Sequence, residues 1–540
     1  MNKAHKSHSQ AERKQRAATQ AKPAPQTARK GFTAHCSLRP RTARLITYAL
    51  GFLALFSFLY WGYGDVLSRT EQESYVSTSP DTMHYVLSQP NGTLYWLARW
   101  GLLVFKSTLL GAAVLALVYT LTARFADYAL RLPRNWEGLG FIIPLAQIGW
   151  IVWRGTNLYY KNEPSLFIIV AATALLVAAL VAAAVWFVCR KRQCSQVQQV
   201  RPYGLLLTLL LTGGTTWATL HYNQNEILTA RLQNMMWKQQ WNEMVSEART
   251  AQQPSRSVAA YHAIALIQTD QLLEGMFDIP YDFPKVRLDS LTGSGEYGLF
   301  VTDCNFHAGL LNAAYRGAMD GVVMDGPRLS CFKRMAICAL LNGEKELCSK
   351  YLKLIENSPF ESDFVQKYQA MLRDDKLIEA DEELQHVKAL YPKEDHFEQN
   401  YRSPAFLGYN VGLMEGSDAT LTTSAAACLY SKDLQSFLPR AQILAQKGRS
   451  FPACMQQAIA IMALQQPQLL NQFPQVGRFV SNEITSFLLD AKPYLNDRLA
   501  LRHNLRERWL GTYVYYYYTE NNDPNQVVQP SSAQENAGVN

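Results

Sequence analysis

Hydrophobic positions divide this chain into two halves. Over the first 220 residues they gather into long runs. From His221 to about Glu520 they recur every three or four positions, the spacing of helices with one buried face. A helix crosses a hydrocarbon core in about 17–25 apolar residues. Five stretches approach that length: 45–61, 107–123, 139–153, 166–189 and 203–220. Leu166–Cys189 has no charge along its length, and neither does 203–220, which carries Gly213-Gly214 toward its outer half. The stretch 139–153 is the shortest and contains Pro144 and Gly149, so its flanks must decide whether it passes through or dips and returns.

The flanking charges predict the arrangement. Lys and Arg accumulate in short cytoplasmic loops. Eleven cations and one acid precede Leu45, which puts the N-terminus inside. Loop 64–93 offers Arg69 against Asp65, Glu71, Glu73 and Asp81, and fits outside. The next loop has Arg124, Arg131 and Arg134 against Asp127 and Glu137, and fits inside. Arg190, Lys191, Arg192 and Arg201 follow with no acid, again inside. Five crossings alternate with these signs. A re-entrant 139–153 would turn "RKR" outward, so the sequence predicts a full crossing there and an exported tail. The basic region before Leu45 is too long, and its apolar stretch too extended, for a cleaved signal. Tyr60, Trp61, Tyr95, Trp96, Trp100, Trp153 and Tyr222 fall near span ends, where such rings prefer the headgroup zone.

Net charge follows the same division. Residues 1–220 hold 23 Lys+Arg against 8 Asp+Glu, and residues 221–540 hold 29 against 36. The excess of cations lies beside the membrane segments, so the overall +8 does not describe a nucleic-acid-binding domain. Residues 1–44 are basic and nearly devoid of large apolar side chains, the composition of a disordered cytoplasmic arm.

In the second half, Leu228, Leu232, Met236, Trp241, Met244 and Ala248 make one stripe, and Tyr261, Ala265, Leu272 and Met276 suggest the next helix. The hairpin "RMAICALLNGEKELCSKYLKLIENSPF" is sharper. Ala336, Ala339 and Cys348 allow close approach, Asn342-Gly343 ends the first helix, and Pro359 follows the second. It looks like a tetratricopeptide-type unit, although no second copy recurs at a fixed period of about 34 residues. The expectation is an all-α protein. A five-helix transmembrane domain over 45–222 precedes an exported, tetratricopeptide-like helical domain over 223–520, and 521–540 is a polar tail. "GTYVYYYYTE" closes the helical region as an aromatic end packed on the last pair.

Recognisable catalytic patterns are scarce. "GSGEYG" at 293–298 has dinucleotide-type spacing but lacks the preceding strand and βαβ unit that mechanism needs, so it reads as a loop. Asp303, Cys304 and His307 lack a second ligand pair at zinc spacing and read as a helix start. Cys304, Cys331, Cys338, Cys348, Cys428 and Cys454 mostly sit on apolar stripes, the setting of free buried thiols, although an exported domain would permit disulfides whose pairing sequence cannot assign. Two charge groups stand out. Arg99 and Lys106 flank a span, as interfacial anchors or as an anion or lipid-phosphate site. Glu71 and Glu73 lie in the first outer loop, where lipid-linked glycosyltransferases place catalytic carboxylates.

The order of elements, with "LYWLARWGLLVFKSTLLG", "YHAIALIQTDQLLEGMFD", "HAGLLNAAYRGAMDG" and "SPAFLGYNVGLMEGSD", resembles an uncharacterised family of Bacteroidetes multi-pass membrane proteins known as a domain of unknown function. The resemblance covers about residues 45–515. It implies an inner-membrane protein with a periplasmic tail and brings no catalytic residues. The expected role is a membrane-anchored scaffold that holds an envelope protein or peptide, with no cofactor. The alternative is a membrane enzyme of lipid-linked glycosyl transfer, or a transport component, with its site near Arg99, Lys106, Glu71 and Glu73.

Overall fold

Helices supply every regular element among the described residues of the computed structural model, which are 40–154, 165–189, 203–281, 298–392 and 417–520. The first apolar run forms α1 (Pro40–Ser57) and continues through a π-helical turn to Gly62. A short α2 (Gly64–Gln72) and α3 (Gly92–Leu102) lead to α4 (Thr108–Ala129). α5 (Ile142–Arg154), α6 (Leu166–Cys189) and α7 (Tyr203–Tyr222) complete the first half.

Among the described residues four segments are long and apolar enough to cross a membrane: Arg41–Gly62, Thr108–Ala129, Arg134–Trp153 and Leu166–Val188. Only 22% of the Leu166–Val188 window is buried by the rest of the chain, so most of its apolar surface is uncovered. The third segment is not one α-helix. Two 3-10 turns precede α5, whose 13 residues rise only about 20 Å. Pro144 sits in the first turn of α5, where its missing N–H costs little. The fifth expected span is a continuous 20-residue helix, α7, which carries five threonines and is not among those four segments. Those threonines fold back on the carbonyl four residues earlier, as Thr212 does on Thr208 at 2.8 Å.

α4 runs six residues beyond the predicted 107–123 and so includes Asp127. This buried carboxylate ties the bundle together at one end. It accepts from the Tyr48 hydroxyl of α1 at 2.6 Å and from the backbone N–H groups of Gly138 and Gly140 at 2.6 and 2.7 Å. Beside it, Arg44 pairs with Glu137 at 2.7 Å, and the Thr208 hydroxyl of α7 donates to the Gly138 carbonyl at 2.8 Å. A Cβ on Gly140 would stand 2.3 Å from the Ala123 carbonyl oxygen, so only glycine fits at that approach.

The second half starts at Asn223 with no spacer. α8 (Gln224–Trp237) places Ile227 and Ala230 in the core of the bundle and Leu232 and Met236 in the core of the tail. The expected single stripe is two helices, because Gln239 takes a left-handed φ of 57° and turns the chain into α9 (Trp241–Ala248). α10 (Arg256–Gln268) follows, buried on every side. Asp270, at φ 55°, ends it before Leu272 and Met276, which fall in later short turns.

Residues 306–387 build a second core from α11 (Leu311–Asp325), α12 (Leu329–Leu341), α13 (Lys345–Glu356), α14 (Ser362–Arg373) and α15 (Glu382–Ala389). Gly343, at φ 78°, closes the α12–α13 hairpin where the sequence places it. The chain then returns to the first core with α16 (Asp418–Tyr430), α17 (Leu434–Gln446), α18 (Ala453–Ala463), α19 (Arg478–Ala491), α20 (Arg498–Trp509) and α21 (Tyr513–Thr519). In α21, Tyr513, Tyr515 and Tyr516 are buried, and Phe277 and Tyr281 pack against Tyr516 with ring centroids 4.7 and 5.2 Å away. The six cysteines of this half carry free thiols, and all but Cys331 are buried.

Candidate functional site

The loop between the first two apolar helices does not stand apart from the tail. Tyr75, Met83 and Val86 belong to the same core as α11–α15. The Tyr75 hydroxyl donates to the Leu354 carbonyl at 2.9 Å, and Thr78 N–H donates to the Asn357 carbonyl at 3.1 Å. Leu329 N–H at the start of α12 donates to the Ser74 carbonyl at 3.3 Å. Tyr95 and Trp96, expected near a span end, pack on this core.

All four candidate charges meet at that joint. Glu73 is buried and bridges two helices of the tail, accepting from Gln233 Nε2 of α8 at 2.7 Å and Ser330 Oγ of α12 at 2.9 Å. Arg99 is buried, and its Nη1 donates to the Tyr75 carbonyl at 3.0 Å, holding the loop in place. Lys106 reaches from the foot of α4 to the turn between α13 and α14. There its ammonium donates to the carbonyls of Pro359 and Phe360 at 3.1 and 3.0 Å and pairs with Glu361 Oε1. The other oxygen of Glu361 takes Lys333 of α12 at 2.6 Å.

Glu71 differs from the rest. Its side chain is 5% exposed and makes no hydrogen bond or ion pair among the described residues. Burial pushes its pKa from the ordinary 4.5 up to about 7; the nearby Lys106 and Lys333 oppose this and Glu361 adds to it. Because the folded-state value is raised, the stabilisation linked to this proton is complete below about 4.5 and is lost as pH rises through about 7. A shift of that size corresponds to about 3 kcal/mol. Glu71→Gln should therefore melt higher than the parent chain at pH 8 and close to level with it at pH 4, measured as thermal unfolding in detergent at both pH values. A constant gap between the two chains would contradict this.

A second buried polar cluster lies one residue further along α12. Arg334, 2% exposed at its side chain, donates through Nε and Nη2 to Asp303 Oδ1 at 3.1 and 2.7 Å and stacks on Phe306, 3.9 Å from its centroid. His307 shares a hydrogen bond with Gln268 at 3.1 Å, and burial holds its pKa well below the usual histidine range, so its ring is neutral. Asp303 and His307 are thus engaged structurally. Among the described residues no group of three His, Cys, Asp or Glu side chains is placed to hold a metal ion. Of "GSGEYG", residues 293–297 lie outside the described residues, as does "SPAFLGYNVGLMEGSD" up to 416.

No motif or charge pattern in the sequence marks Lys333, Phe360 or Glu361, which complete the joint. It also missed a cavity of about 360 Å³ in the tail, between the end of α10, α15, α16 and the α17–α18 connection. Asp270, Glu274, His386, Thr422 and Arg449 are in its wall, together with Asp418, whose carboxylate is held below the usual range by Lys447 and Arg449.

A protein-family model described as a family of unknown function, DUF6057, matches residues 39–222 and 214–520. No curated protein and no solved structure matches the chain.

Proposed function

This chain belongs to the DUF6057 family of unknown function, and we propose that it is a membrane-anchored scaffold whose helical tail holds a protein or peptide of the cell envelope. In this reading five helices cross the inner membrane, with α7 as the last, the N-terminus is cytoplasmic and the tail is periplasmic. The stacked hairpins act as a tetratricopeptide-like unit of an envelope protein of the Bacteroidetes type. The observation that carries the reading is the joint itself. Glu73, Arg99 and Lys106, the charges an interfacial enzyme would use, are spent on fixing the tail to the bundle. The polar cavity in the tail is the place for a partner's side chains.

The enzyme alternative keeps one free carboxyl, Glu71, and so the two readings separate cleanly. Deleting the tail would strip the cover from Tyr75, Met83 and Val86, so point variants serve better. Crosslinking in native membranes followed by purification of the full chain should recover the same partner with Glu71→Gln as with the parent, and lose it with Thr422→Trp, which fills the cavity. Retained capture with Thr422→Trp, together with loss of the cellular phenotype in Glu71→Gln, would favour the enzyme.

A further inference from the structure

The turn between α13 and α14 holds a residue whose carbonyl belongs to the joint but whose side chain neither the core nor the joint requires. Phe360 adopts φ 63°, a left-handed conformation that a bulky residue takes only when its surroundings impose it. Its ring is 76% exposed, so packing does not hold it. Lys106 imposes the conformation through its bonds to the Pro359 and Phe360 carbonyls and its contact with Glu361, and its Nζ lies 5.6 Å from the ring centroid. Lys106 stands two residues before α4, one of the four helices apolar enough to cross a membrane. The ring therefore sits at the level where that helix begins. Other apolar side chains are uncovered at the same end: Leu94 and Leu97 on α3, and Leu109 and Leu110 in the first turn of α4. Glycine or asparagine would adopt this turn more cheaply in water. A phenylalanine gains there only if it meets an apolar phase, and the phase continuous with α4 is lipid.

We propose that Phe360, with Leu94 and Leu97, is a contact of the tail with the bilayer surface, the ring entering the boundary between headgroups and acyl chains. The contact rests on the reading of the apolar helices as membrane spans. It would give the tail a fixed height and tilt on the membrane, through a loop about 250 residues away in sequence from the helix it rests beside.

The test places p-benzoylphenylalanine at position 360 of the full-length chain, in native membranes containing radiolabelled phospholipid, and reads lipid adducts after irradiation. Leu180, exposed in the middle of α6, is the bilayer reference, and Phe479, exposed on α19, is the solvent reference. The expected result is labelling at 360 at least about fivefold above 479 and of the same order as at 180, as for a ring at the headgroup–acyl boundary. Labelling at 360 no stronger than at 479, with 180 strongly labelled, would overturn the contact and leave the spans standing. So would a protein adduct at 360 in place of lipid. Failure of 180 itself to label would refute the spans, and the contact with them.

Discussion

Arg334→Met should lower the stability of the folded chain by about 3–5 kcal/mol, the usual cost of removing one partner from a buried ion pair. The guanidinium is nearly inaccessible, and its Nε and Nη2 both donate to one oxygen of Asp303. Methionine keeps most of the packing against Phe306 and Trp237 but leaves the carboxylate of Asp303 without its counter-charge. Thermal unfolding of the purified protein in detergent should fall by about 5 °C or more. Adding Asp303→Asn should restore much of that loss, because the stranded charge is then gone. A single variant that melts with the parent would mean that the pair is open to water.

Asp127→Ala should be of similar size and act at the opposite end of the bundle. Three donors converge on this carboxylate: the Tyr48 hydroxyl and the N–H groups of Gly138 and Gly140. Each buried donor left unpaired costs about 1–3 kcal/mol, and the three will not add fully because they share one site. Asp127→Asn keeps a single carbonyl oxygen and turns its amide toward donors, so it should fall between alanine and the parent. The tether between α1, α4 and the Gly138–Gly140 turn would loosen, and protease cleavage in that turn should rise with the drop in melting temperature. Equal melting of alanine and asparagine variants would show that the two backbone donors contribute little.

Much of the fold was legible because its signals are local. Leu166–Cys189 is helical over the range the sequence marks, since an uncharged apolar run leaves no competing structure. The α12–α13 hairpin followed from Asn342-Gly343 and the small residues before it. The break at Gln239 was not legible, because glutamine carries no turn signal and its left-handed backbone is set by the packing of α8 on α9. Site residues were legible one side at a time. Glu71, Glu73, Arg99 and Lys106 stood out as charges beside apolar runs. The partners of Glu73 and Lys106, which are Gln233, Ser330 and Glu361, are ordinary polar residues of helices and a turn and lie 160 or more positions away. No periodicity encodes such a pairing. For the same reason the outer loop read as a loop, whereas Tyr75, Met83 and Val86 form part of the tail's core.

The joint also bears on what the tail can do. A tail fixed through Glu73, Tyr75 and Lys106 presents its cavity at a set distance from the bundle, which suits a scaffold that must hold a partner near the membrane. All of this depends on the tail's lying beyond the cytoplasm. Fusing alkaline phosphatase and, separately, a cytoplasm-dependent fluorescent protein after Glu520 tests it most directly. An odd number of crossings predicts active phosphatase and a dark fluorescent fusion; bright fluorescence with inactive phosphatase would contradict it.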